Sequence, residues 1–169
     1  MDAKVSALLN TQINKELYSA YLYLDMANFY KSKGLDGFSN WFEIQAQEER
    51  DHAMLMYQFL HNNGETVTLE AIDKPGLTYN DLMDPLTEAL KHEKYVTSLI
   101  HTIYLAAKEA DDFRTMQFLD WFVKEQGEEE QNASDNINKM KLFGSDARAL
   151  YMLNQELAAR TYSAPSLVL

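Results

Sequence analysis

The stretch Gln47-Glu48-Glu49-Arg50-Asp51-His52 lies in the middle of a long helical pattern, and its reading decides the fold. Glu49 and His52 stand three apart, so on a helix both side chains project from one face. A carboxylate and an imidazole on adjacent turns can hold a metal ion between them. Trp41, Ile44, Met56 and Phe59 flank the pair, which sets that face against a core. Buried charge is costly unless it is paired or bound to metal. Other helices must therefore bring partners to this point.

Outward from that stretch the chain is helical in period. A first helix is expected over 2–33, with Val5, Leu8, Leu9, Gln12, Ile13, Glu16, Ala20, Tyr23, Leu24 and Ala27 at helical spacing and Gly34 as its stop. The second runs from 36 or 37 to 64, and the short break between the two makes them antiparallel neighbours. Residues 65–80 read as non-helical: 66–69 alternates like an extended strand, and Pro75-Gly76 marks a turn. A helix of about 27 residues is ~40 Å long, and the extended connection reaches at most ~55 Å. It can travel the length of a bundle, so a crossover is expected, with helices two and three parallel. Helices are expected over 81–110, 112–143 and, shorter, 145–160, followed by a tail over 161–169. The fold class is all-α: a four-helix bundle with a long crossover between helices 2 and 3 and a short fifth C-terminal helix, as one domain over 1–160.

Bulk properties narrow the function. The net charge of −11 disfavours nucleic-acid binding through a basic surface. The absence of cysteine excludes disulfide, zinc-thiolate and iron–sulfur chemistry. No stretch approaches the ~20 apolar residues of a membrane span. The N-terminus enters an amphipathic pattern without the basic and apolar blocks of a signal peptide, so a cytoplasmic location is expected.

Each of the four long helices carries a ligand-type residue near mid-length inside an apolar stripe: Glu16, Glu49 with His52, Glu93, and Gln126 with Glu129. Any one of these alone would ordinarily be a solvated helix face. Four at one level match the di-iron carboxylate pattern of helical bundles, in which two helices supply single glutamates and two supply Glu-x-x-His. The fourth helix departs from that pattern, offering an amide and a carboxylate without a histidine. Carboxylates with one imidazole suit iron or manganese, and also zinc. Glu49, beside His52, is the natural bridge between two ions.

The chain resembles the ferritin family, in its bacterial non-haem branch. The resemblance rests on Asn14-Lys15-Glu16-Leu17-Tyr18-Ser19, on 45–53 around Glu49 and His52, on Lys91-His92-Glu93, and on 118–130 around Gln126. It implies a ferritin-like fold and a ferroxidase centre, with Glu16, Glu49 and His52 on the first iron and Glu49, Glu93 and either Gln126 or Glu129 on the second. It also implies a third iron site matched by Glu48, Glu125, Glu128 and Glu129. Tyr23 matches a tyrosine beside the centre, and Trp121 a nearby aromatic that either supplies an electron or only packs. Haem is not expected, because Arg50 follows Glu49 where haem-binding bacterioferritins carry methionine, and Glu128 stands where their second histidine would be. The resemblance further implies iron storage in a homo-oligomeric cage of twenty-four subunits, with dioxygen or hydrogen peroxide as oxidant. Val67 and Leu69 would then pair with a symmetry mate. Met116 and Leu119 occupy the approximate positions of the acidic channel lining of animal ferritins, so Asp111, Asp112 and Asp120 remain alternatives for iron entry. A rubrerythrin-like peroxide-reducing oxidoreductase is the rival reading; the cysteine-bound electron-transfer domain usual there is lacking.

Overall fold

The computed structural model describes residues 1–169 as five helices: α1 (Ala3–Ser32), α2 (Asp36–Asn62), α3 (Asp84–Glu109), α4 (Phe113–Phe143) and α5 (Ala147–Ala158). Their ends follow local chemistry. Asp2, Asp112 and Asp146 cap α1, α4 and α5, their side chains accepting from the N–H groups of Lys4 and Val5, of Thr115, and of Ala149. Gly34 and Gly64 take positive φ (73° and 74°) just past α1 and α2, where a side chain would be strained.

Helix α3 begins three residues later than the periodicity suggests. Asp81 Oδ1 accepts from the N–H groups of Met83 (2.8 Å) and Asp84 (3.0 Å), and Pro85 then occupies the first turn, where its missing N–H costs nothing. The strand-like reading of 66–69 is also corrected: the crossover contains no strand. Side-chain amides of α1 take the place of a ladder. Asn10 accepts from the Thr68 N–H (2.8 Å) and donates to Thr66 O (3.2 Å), and Asn14 donates to Ala71 O (3.0 Å).

Helices α1 and α2 pack as one hairpin and α3 and α4 as another, with α1 lying against α3. The hydrophobic core is divided in two. One half gathers Leu9, Met56, Leu60, Ile100, Leu119 and Phe122, and the other Met26, Tyr30, Phe38, Phe42, Leu86 and Met140. Between them lies a layer of buried polar side chains, one set from each long helix. In α1 the buried face differs from the expected stripe: Leu24 is 49% exposed, while Leu22, Met26 and Tyr30 are buried. Large apolar residues on more than one side of α1 make its periodicity ambiguous.

Helix α5 docks on α2 by exchanging caps. Asn154 Oδ1 accepts from the N–H groups of Gly37 (2.8 Å) and Phe38 (3.2 Å), supplying the cap that α2 lacks from its own residues. In return Asn40 Nδ2 donates to Leu157 O (3.3 Å) and Arg160 O (3.1 Å). A Cβ on Gly37 would stand 1.7 Å from Asn154 O, so only glycine admits this approach. No helix is long and apolar enough to cross a membrane.

Candidate metal centre

The polar layer is built from helical spacing. On α1, Gln12 lies one turn before Glu16 and donates to its Oε1 (2.8 Å). On α2, Gln45 stands in the same relation to Glu49 (3.1 Å), and the same amide nitrogen also donates across the bundle to Glu129 Oε2 of α4 (2.7 Å). On α3, the Glu93 carboxylate accepts from Gln126 Nε2 (3.0 Å) and closely from the Tyr23 hydroxyl. Glu16, Tyr23, Glu49, His52, Glu93, Gln126 and Glu129 are all buried.

Three overlapping sets of ligand atoms form, each lying within 4.8 Å of one another: Glu16, Glu49 and His52; Glu49, Glu93 and Glu129; and His52, Glu125 and Glu129. Glu49, His52 and Glu129 each belong to two sets. Gln126 is in contact with the second through Glu93. Glu48 stands outside all three, its Oε2 paired with the Arg160 guanidinium at 2.6 Å. Glu128 is exposed and pairs with Lys124 at 3.3 Å. Trp121 meets the His52 ring edge-on, 5.5 Å between centroids, and its indole N–H donates to Ser166 Oγ.

The electrostatics of this layer call for a cation. Burial pushes the carboxyl groups of Glu16, Glu49 and Glu129 well above the ordinary carboxylate range, reinforced by neighbouring carboxylates. Burial also raises Glu93, against the opposing hydrogen bonds from Tyr23 and Gln126. No lysine or arginine pairs with any of the four. Of the five buried side-chain polar atoms that have no hydrogen-bond partner in the chain, two lie in this layer: Glu16 Oε2 and His52 Nδ1. The latter lies 3.5 Å from Glu49 Oε2, without hydrogen-bond alignment. Orphaned buried donors and acceptors are rare and call for a physical reason. Both belong to residues of the first set, and the mixture of oxygen and imidazole donors suits a first-row divalent ion. Beside Glu93 and Glu129, a cavity of about 20 Å³ lined by Tyr23, Trp41 and Asn136 has room for about one water-sized molecule.

The sequence singles out the ligand-type residues together with Tyr23 and Gln126, but not the part that Gln12, Gln45 and Arg160 play in holding the carboxylates. The signal for two was present: Gln12 and Glu16 repeat the spacing of Gln45 and Glu49, an amide one turn before a ligand carboxylate. Arg160 gave no such signal, because the docking of α5 alone brings it to α2. His92 also lies beside the layer, its Nε2 2.7 Å from Ser19 Oγ, and burial lowers its pKa to about 4.

A family model described as the ferritin-like domain matches residues 6–143. The bacterial non-heme ferritin of Staphylococcus epidermidis is 32% identical over 163 residues, covering 96% of this chain and 98% of the relative. That of Staphylococcus aureus is 33% identical over 154 residues, covering 91% and 93%. Among solved structures, an engineered closed form of the Archaeoglobus fulgidus ferritin superposes with a TM-score of 0.94 at 43% identity, covering 96% of this chain and 99% of the other. The open pore ferritin of the same archaeon gives 0.93 at 43% identity, covering 95% and 98%. The four-helix bundle with its long crossover and short fifth helix is thus ferritin-like, and the chain belongs to the ferritin family.

Proposed function

We propose that this protein stores iron, oxidising Fe(II) at the buried carboxylate layer and holding the Fe(III) product as mineral inside a homo-oligomeric shell. Membership of the ferritin family supports iron storage, and the site supports the oxidation step. The observation that carries it is the sharing of Glu49 between two buried ligand sets, next to two orphaned polar atoms, Glu16 Oε2 and His52 Nδ1. One Fe(II) is held by Glu16, Glu49 and His52, and a second by Glu49, Glu93 and Glu129 with Gln126 adjacent. Two substrate ions side by side can surrender two electrons together, which matches the two-electron reduction of peroxide to water or of dioxygen to peroxide. His52, Glu125 and Glu129 provide a third position on the α2–α4 side.

The chain's own groups prepare this step. Burial favours the protonated form of the carboxyl groups, so cation binding works against bound protons. The Tyr23 hydroxyl donates to Glu93 and orients it. The cavity beside Glu93 and Glu129 has room for about one water-sized molecule next to the ligand carboxylates. The shell, of twenty-four copies, and a cytoplasmic location complete the proposal. It is tested by anaerobic Fe(II) titration followed by stopped-flow mixing with dioxygen. A pair of tightly bound Fe(II) ions per chain and their rapid joint oxidation are expected. Fe(II) that stays unbound, or that oxidises no faster than in buffer, would overturn the proposal.

A further inference from the structure

Just past the end of α5, Arg160 reaches the residues behind the metal centre without offering it a ligand. The Arg160 guanidinium stacks on the Trp41 ring, 4.1 Å from its centroid. Its Nη1 donates to Trp41 O (3.0 Å) and Gln45 Oε1 (3.1 Å), and its Nη2 donates to Glu48 Oε2 (2.6 Å). Pinning Gln45 Oε1 decides which end of that amide faces the centre. The nitrogen is turned inward, where it donates to Glu49 Oε1 (3.1 Å) and Glu129 Oε2 (2.7 Å). Glu49 and Glu129 are the two carboxylates that each belong to two ligand sets, so every set contains a carboxylate held by Gln45.

We propose that Arg160 is a positioning residue for the metal centre, acting through Gln45 on Glu49 and Glu129. Without the guanidinium, the Gln45 amide is free to turn its oxygen toward the carboxylates, which removes two donors and sets acceptor against acceptor. Outer partners of metal ligands are typically worth 10–100-fold in affinity. A lysine cannot substitute, because the planar fork serves Gln45 and Glu48 at once.

The inference rests on the centre binding metal, and the experiment separates the two. Intact protein is titrated anaerobically with Co(II), followed by visible absorption and calorimetry. If the wild type binds no Co(II), the proposed function fails. If it binds, Arg160→Ala is expected to weaken binding by about 10-fold or more and to alter the Co(II) absorption. Gln45→Ala, which leaves α5 untouched, is expected to reproduce the loss. Arg160→Ala added to Gln45→Ala should then cost less than about 2-fold more, because the two act in series. Wild-type binding in either single variant would overturn the proposal, as would a full Arg160→Ala loss persisting in the Gln45→Ala background. Glu48→Gln reproducing the loss alone would also overturn it, by transferring the role to Glu48. Should Arg160→Ala fail to fold, Gln45→Ala decides alone, and wild-type affinity in that variant refutes the relay.

Discussion

Replacing Glu49 with glutamine separates what the carboxylate does for metal from what it costs the fold. Glu49 is 2% exposed, belongs to two of the three ligand sets and accepts a hydrogen bond from Gln45. Glutamine has nearly the same shape, so packing is kept while a charge is removed and one oxygen becomes a donor. Losing an outer partner of a metal ligand costs 10–100-fold in affinity. Losing a shared ligand should exceed that, by more than about 100-fold or ~2.8 kcal/mol. Metal-free stability should move the other way. Burial holds Glu49 well above the ordinary carboxylate range, so at neutral pH its ionisation opposes folding. Anaerobic Fe(II) titration and stopped-flow oxidation read the first effect, and thermal unfolding of metal-free protein reads the second. Glu49→Gln should lose fast oxidation, still assemble, and melt at or above the wild-type temperature. Oxidation at the wild-type rate would refute the shared-ligand role. A marked fall in metal-free stability would refute the claim that burial dominates this carboxylate.

Gly37→Ala places a Cβ against Asn154 O and forces α5 away, leaving the Gly37 and Phe38 N–H groups uncapped; at about 1–3 kcal/mol per unsatisfied buried group, denaturant unfolding should show a large loss, and a wild-type midpoint would contradict the docking. Glu125→Ala should weaken the third metal position while Glu128→Ala leaves it unchanged, because only Glu125 joins His52 and Glu129, whereas Glu128 faces solvent with Lys124; the readout is the number of Co(II) ions bound, and equal effects would contradict the grouping. The carboxyl groups of Glu16, Glu49 and Glu129 lie above their ordinary 4.5 in the folded protein, so the folded state keeps protons that the unfolded chain releases. Their contribution to metal-free stability is full below about 4.5 and is lost as pH rises through the folded values; metal affinity should rise over the same range with proton release, seen by calorimetry in buffers of different ionisation enthalpy, and affinity independent of pH would contradict it. His92, lowered from 6.5 to about 4, acts on the acid side: its contribution is full above 6.5 and is lost as pH falls through about 4, worth at most about 3 kcal/mol at 1.36 kcal/mol per pH unit, so His92→Gln should flatten the acid limb of the unfolding profile.

Much of this fold is legible in the sequence because its signals are local. Apolar periodicity, Gly34, Gly64 and the capping aspartates mark the helices, and the length of 65–80 implies the crossover. The ligand-type residues are visible because a glutamate inside an apolar stripe is anomalous, and four such anomalies fall at one level. What was hidden depends on long-range placement. The late start of α3 follows from the Asp81 side chain and Pro85 acting together, where periodicity alone extends the helix. The extended 66–69 segment carries strand chemistry but meets asparagines of α1, so it forms no strand. Leu24 and Met26 cannot be sorted by hydrophobicity, and only the packing of α1 in the bundle buries Met26 among residues of the other helices while Leu24 stays 49% exposed. Arg160 is separated from Gln45 by most of the chain, and nothing near either residue announces their contact.

Loading the metal-free protein anaerobically with excess Fe(II), admitting air, and measuring iron against particle size tests the central claim most directly. The expected result is a large particle that carries far more iron than the three ligand sets of its chains can hold. A small species retaining only the iron of those carboxylate sets would contradict storage, and would leave an oxidoreductase without a mineral.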